Sequence, residues 1–133
     1  MMWQVQGKRI DAKRFGPFEP RHVLNHYDGP RIFTFHDSDE ALCLACWSDE
    51  GEDRSRFLVV PVSDRIVSDL ESGTLTVREA LDQPRLWVVD LGFDGTIAEA
   101  WLVSPKDVPD DAQPQPGTRL HREADAARSL RGI

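Results

Sequence analysis

Apolar residues along this chain fall into short runs, each broken by an acidic or glycine-containing turn. Residues 21–27 (RHVLNHY) lead into Asp28-Gly29-Pro30, a turn signal. Residues 31–36 (RIFTFH) alternate, with Ile32, Thr34 and His36 on one face and Phe33 and Phe35 on the other. After the break at Asp37-Ser38-Asp39-Glu40, residues 41–47 (ALCLACW) are almost uniformly apolar, as in a strand covered on both faces. The stretch SDEGEDRS turns the chain again before residues 57–62 (FLVVPV), where Pro61 belongs at a strand end, bulge or edge because it cannot donate to a ladder. Two further runs, residues 86–91 (LWVVDL) and 97–103 (IAEAWLV), flank the hairpin signal Gly92-Phe93-Asp94-Gly95.

Helical spacing interrupts this series only once. Ser63 is placed to cap a helix carrying Ile66, Val67 and Leu70 on one face, and Gly73 provides its stop. Thr76-Val77-Arg78-Glu79 then has the form of a capping box, in which hydroxyl and carboxylate each satisfy an end amide. The second helix is short and ends before Pro84, with Leu75, Val77 and Leu81 available to dock on a sheet.

These elements predict an α+β domain. Its sheet is mostly antiparallel, a bent sheet or small barrel of about six strands, with a two-helix insertion before the closing hairpin. Short connections exclude parallel crossovers among the first four strands. The domain is expected over residues 1–104, followed at 105–133 by a Pro-rich strap and a short C-terminal helix striped by Leu120, Ala124, Ala127 and Leu130.

YDGPRIFTF (27–35), FLVVPVSDR (57–65), SGTLTVREAL (72–81) and LWVVD (86–90) together resemble a family of small uncharacterised bacterial and phage domains. The resemblance spans roughly residues 22–104. Its most specific part is the glycine–apolar–Arg-Glu-Ala-Leu helix start, which is structural in character. It implies a shared fold and brings no catalytic residue or cofactor.

Composition narrows the partners. The chain has 133 residues, 40% of them hydrophobic, enough for one core and too few for two. Sixteen basic against twenty-three acidic side chains give a net charge of −7, which opposes general attraction to phosphate backbones or anionic lipid. No apolar run approaches the roughly 20 residues that cross a bilayer, and the polar N-terminus has no secretory h-region. A cytoplasmic protein is expected, without membrane attachment or nucleic-acid binding.

Cys43 and Cys46 form C-x-x-C, but three apart on a strand they face opposite sides, and a second ligand pair is missing. The favoured reading is two small buried hydrophobes. His22, His26 and His36 allow a three-histidine cluster across neighbouring strands, though without a carboxylate to orient it. Lone strand histidines are more often surface residues, so no metal and no cofactor is expected. Asp90 and Glu99 stand in otherwise apolar runs. Turned inward they would require a partner such as Arg31, Arg65 or Arg78, and turned outward they would need none. The outward orientation is favoured.

Between Asp37 and Asp53 there are seven acids and no Lys or Arg. Two solvated turns that also protect sheet edges are the simplest account, and an acidic docking surface is the functional one. Trp47 ends its strand beside these acids, where a large ring can anchor a partner. Tyr27 and Asp28 mark the neighbouring turn, while Trp87 and Trp101 are expected in the core. The resulting partner-binding set is Tyr27, Asp28, Asp39, Glu40, Trp47, Asp49, Glu50, Glu52 and Asp53. The expected function is a non-catalytic protein-binding or accessory module with a basic partner, in a bacterial or phage regulatory or conflict setting. The alternative is a small-ligand binder or enzyme with a pocket between sheet and helix pair.

Overall fold

A computed structural model describes residues 2–26 and 29–120. Tyr27, Asp28 and all but the first residues of the expected C-terminal helix lie outside the described residues. Seven strands form one antiparallel sheet: β1 (Gly7–Arg9), β2 (His22–His26), β3 (Pro30–His36), β4 (Leu42–Glu50), β5 (Arg54–Pro61), β6 (Leu86–Gly92) and β7 (Ile97–Val103). Their spatial order is β1-β7-β6-β5-β4-β3-β2. The last six strands are thus a plain meander, and β1 closes the far side by pairing with β7. The sheet is open, which excludes the barrel alternative.

Both faces of the sheet are covered, and strand parity decides which side chain goes where. On one face Leu44, Cys46, Leu58, Val60, Leu86 and Val88 pack beneath α1 (Asp64–Ser72) and α2 (Val77–Leu81). The other face is aromatic: Phe18 meets Phe33, Phe35 and Phe57 edge-on at 5.4, 4.8 and 5.5 Å, and Phe15 meets Trp87 at 5.4 Å. That cover comes from the segment before β2, including a 3-10 turn at Ala12–Phe15.

Local signals at the helices behave as their chemistry requires. Ser63 Oγ accepts from Ile66 N, and Gly73 ends α1 at φ 79°, a left-handed conformation that costs glycine little. At α2, Thr76 Oγ1 accepts from Glu79 N while Glu79 Oε1 accepts from Thr76 N, closing the capping box. The Pro-rich strap lies against the helix-side core, burying Val108, Ala112 and Leu120. Ser48 Oγ donates to Ala112 O at 2.7 Å, and Val77 N donates to Thr118 O at 3.0 Å.

Candidate functional site

Strands β4 and β5 are longer than the apolar runs suggested, because paired polar residues extend both toward a turn at residues 51–53. The extension aligns one charged residue on each of four strands. Asp49 of β4 is in register with Arg56 of β5, Arg56 with Asp90 of β6, and Asp90 with Glu99 of β7. All lie on the helix-side face, by parity with Leu58 and Val88, but beyond the apolar core.

Asp90 is fully buried and Arg56 nearly so. The outward orientation expected for Asp90 is therefore wrong, and so are its proposed partners. Arg56 Nε donates to Asp90 Oδ1 at 2.7 Å and Arg56 Nη2 to Oδ2 at 2.9 Å. Arg54 Nη1 adds longer contacts, 3.3 Å to Asp90 and 3.4 Å to Glu99. Glu99 is partly exposed and also meets Arg9 at 2.7 Å. Burial disfavours the Arg54 charge, yet its hydrogen bonds to Asp90 and Glu99 outweigh this, so its pKa is raised.

An N-terminal lid completes the group. The Trp3 ring lies 4.9 Å from the Arg56 guanidinium, Trp101 lies 5.5 Å from it, and Trp3 O accepts from Arg56 Nη1. Trp3 N donates to Asp49 at 3.3 Å, and its indole donates to Ser48 at 3.2 Å. With three arginine contacts on the Asp90 carboxylate and no exposure, the Arg56–Asp90 pair acts as a buried joint between β5 and β6. The other arginines considered are engaged elsewhere: Arg31 stacks 4.4 Å from Trp47, Arg65 sits 4.0 Å from Asp69, and Arg78 pairs with Asp110.

The acidic set divides. Asp37 is buried, and its Oδ1 accepts from Asp39 N and Ala41 N at 2.9 Å each, so this acid shapes its turn from within. Asp39 and Glu40 are exposed in that same turn, at the opposite end of β4 from the other candidates. Asp49 serves Trp3 and the charged row. Glu50, Glu52 and Asp53 are exposed around the β4–β5 turn. Trp47 is half-buried, packed against the aromatic-face residues and stacked with Arg31.

An aromatic residue outside the expected partner-binding set joins these acids. Phe93, at the tip of the β6–β7 hairpin, is 63% exposed. Because Arg54 pairs with Gly92, this tip is beside the β4–β5 turn. Glu52, Asp53, Phe93 and Asp94 line one shallow depression of about 470 Å³. Asp94 Oδ1 accepts from Thr96 N at 3.0 Å and from its hydroxyl at 2.8 Å, and these bonds, the backbone one first, hold its pKa below the usual carboxylate range. Arg54 also borders this depression: its Nε lies 3.6 Å from Asp53 while its Nη1 reaches Asp90 and Glu99, so one arginine stands among three acids here and the balance stays negative.

The remaining candidates have separate surroundings. Cys43 belongs to the aromatic face and Cys46 to the helix face, as strand parity predicts. Burial pushes both thiols up to about 12. His22 lies 3.8 Å from Glu71, while His36 meets Arg21 at 3.2 Å. Among the described residues no three His, Cys, Asp or Glu side chains converge as metal ligands, and no helix is long and apolar enough to cross a membrane.

An open antiparallel meander covered on both faces, with its charged residues neutralised inside and an acidic hairpin end outside, defines a small α+β sheet domain. The chain belongs to the family of unknown function DUF6575, whose pattern matches residues 13–103. No curated protein and no solved structure matches it.

Proposed function

We propose that this chain is a non-catalytic protein-binding or accessory module of a bacterial or phage system, and that it docks a basic partner through its acidic hairpin end. The observation that carries this reading is Phe93, 63% exposed and bordered by Glu52, Asp53 and Asp94. Aromatic rings set within a polar rim are frequent energetic anchors of protein interfaces. The surrounding acids add attraction for Lys- or Arg-bearing surfaces and repel acidic ones. The rival reading, a reaction or ligand pocket using Asp90 or Glu99 with an arginine, has less support, because Asp90 is fully buried against Arg56.

A photo-crosslinking amino acid placed at position 93 in the native host tests this, with position 65 on α1 as control. The expected result is a discrete protein adduct at 93, absent at 65, and lost when Glu52→Lys and Asp53→Lys are combined. Identical adducts at both positions, or adducts that survive charge reversal, would overturn the reading.

A further inference from the structure

A second surface, on the aromatic face and independent of the acidic hairpins, has the opposite charge. Trp87 and Leu102 are cross-strand partners on β6 and β7 and therefore share a face. The chain leaving β1 runs beside them, with Ile10 N donating to Ala100 O at 2.9 Å. The turn at Ala12–Phe15 then sets the Arg14 guanidinium 4.9 Å from the Trp87 ring. Between these parts is an open cleft of about 440 Å³, lined by Ile10, Asp11, Arg14, Arg85, Trp87 and Leu102.

Three observations point to a ligand here. Leu102 is 39% exposed, so the cleft has an uncovered apolar wall. Arg14 Nε is buried without a hydrogen-bond partner among the described residues, and the nearest carboxylate oxygen, on Asp37, is 3.9 Å from Nη2. Asp37 Oδ2 is likewise buried without a hydrogen-bond partner among the described residues, so Arg14 is only loosely engaged on that side, and its side chain, 36% exposed, lines the cleft. Arg85 is exposed and makes no ion pair among the described residues. Lys8, opposite Leu102 in the β1–β7 register, adds a third positive charge on the same face. The cleft's one acid, Asp11, accepts from Lys13 N at 2.9 Å and caps the turn.

We propose that this cleft binds a small oxyanion, phosphate or carboxylate, carried on an apolar group. Arg14 and Arg85 hold the anion, and the apolar body rests on Leu102 and Ile10. Guanidinium suits this task because its planar fork matches oxyanions. Stacking on Trp87 fixes Arg14 beforehand, which lowers the ordering cost of binding.

Titration with phenyl phosphate, benzoate and inorganic phosphate tests the proposal, followed by nuclear magnetic resonance at the Trp87 indole and Arg14 Nε–H. The expected result is saturable shifts at both positions, with phenyl phosphate binding about tenfold tighter than inorganic phosphate. Arg85→Ala and Arg14→Lys each weaken binding about tenfold or more, while Arg65→Ala and Phe93→Ala leave it unchanged. The Arg85 side chain is exposed, so its removal leaves folding intact. Absence of saturable shifts for all three probes at about 10 mM, or wild-type affinity in Arg85→Ala, overturns the site. Equal affinity for phenyl phosphate and inorganic phosphate overturns the apolar subsite.

Discussion

Arg56 holds Asp90 of the neighbouring strand through two hydrogen bonds, 2.7 and 2.9 Å long, in a part of the sheet that water does not reach. Such a pair contributes little relative to a well-packed apolar pair, because desolvation offsets its attraction. Losing one partner is another matter, since the other charge is left buried and alone.

Asp90→Ala is accordingly expected to lower stability by about 3–5 kcal/mol, measured by urea unfolding. Replacing both residues, Arg56→Met with Asp90→Leu, should recover most of that loss. Trp3→Ala uncovers the guanidinium and should cost about 2 kcal/mol. Because Trp3 and Asp90 act on the same arginine, the two single effects should not add.

The thiols give a prediction at high pH. Both cysteines stay protonated in the folded chain, where burial pushes them up to about 12, while in the unfolded chain they ionise near 9.0. Above 9.0 the unfolded state has lost protons that the folded state keeps, so stability falls as pH rises toward 12. The slope approaches about 1.4 kcal/mol per pH unit for each thiol. A double Cys43→Ala, Cys46→Ala variant should lose this slope. Native protein should resist thiol-alkylating reagents that label both residues after unfolding.

At low pH the effect comes from two exposed acids. Hydrogen bonds from Thr76, backbone first, hold the Glu79 carboxyl below its usual range, as those from Thr96 hold Asp94. Depressed acids give stability that is present above their unfolded pKa and is lost as pH falls through the folded one. In Thr76→Ala, loss of the hydroxyl that caps α2 should on its own destabilise by about 1 kcal/mol. The same substitution should return the Glu79 pKa, followed by nuclear magnetic resonance, only part of the way, because the backbone N–H of residue 76 still donates to the carboxylate.

Much of this fold was legible because its signals are local. Ser63, Gly73 and the Thr76–Glu79 box mark helix ends through chemistry that acts within four residues. Runs such as ALCLACW announce two-sided burial without reference to any partner. β1 was missed because Gly7, Lys8 and Arg9 are exposed, and pairing with β7 alone makes them a strand. Asp90 was misplaced for a related reason. LWVVDL is as uniformly apolar as β4, and a strand buried on both faces has no outward position to offer an acid. Its partner Arg54 stands in the turn stretch SDEGEDRS and Arg56 just before the apolar run at 57–62, and only the β5–β6 register brings them to Asp90. Phe93 looked like part of a hairpin signal, and its significance came from a neighbouring turn about 40 residues away in the chain.

That neighbouring turn makes the last prediction separable from stability. Phe93 contributes nothing to either core, so Phe93→Ala should change stability by no more than about 0.5 kcal/mol. If the ring anchors a partner, the same substitution should weaken that complex by about 2 kcal/mol or more, measured by calorimetry with the crosslinked protein once purified. The acids act differently, since exposed charges steer encounter and are screened within about 8 Å at physiological salt. Glu52→Lys should therefore slow association and flatten its dependence on salt, while Phe93→Ala should mainly speed dissociation. A complex that tolerates both changes at every salt concentration would place the partner surface elsewhere on the molecule.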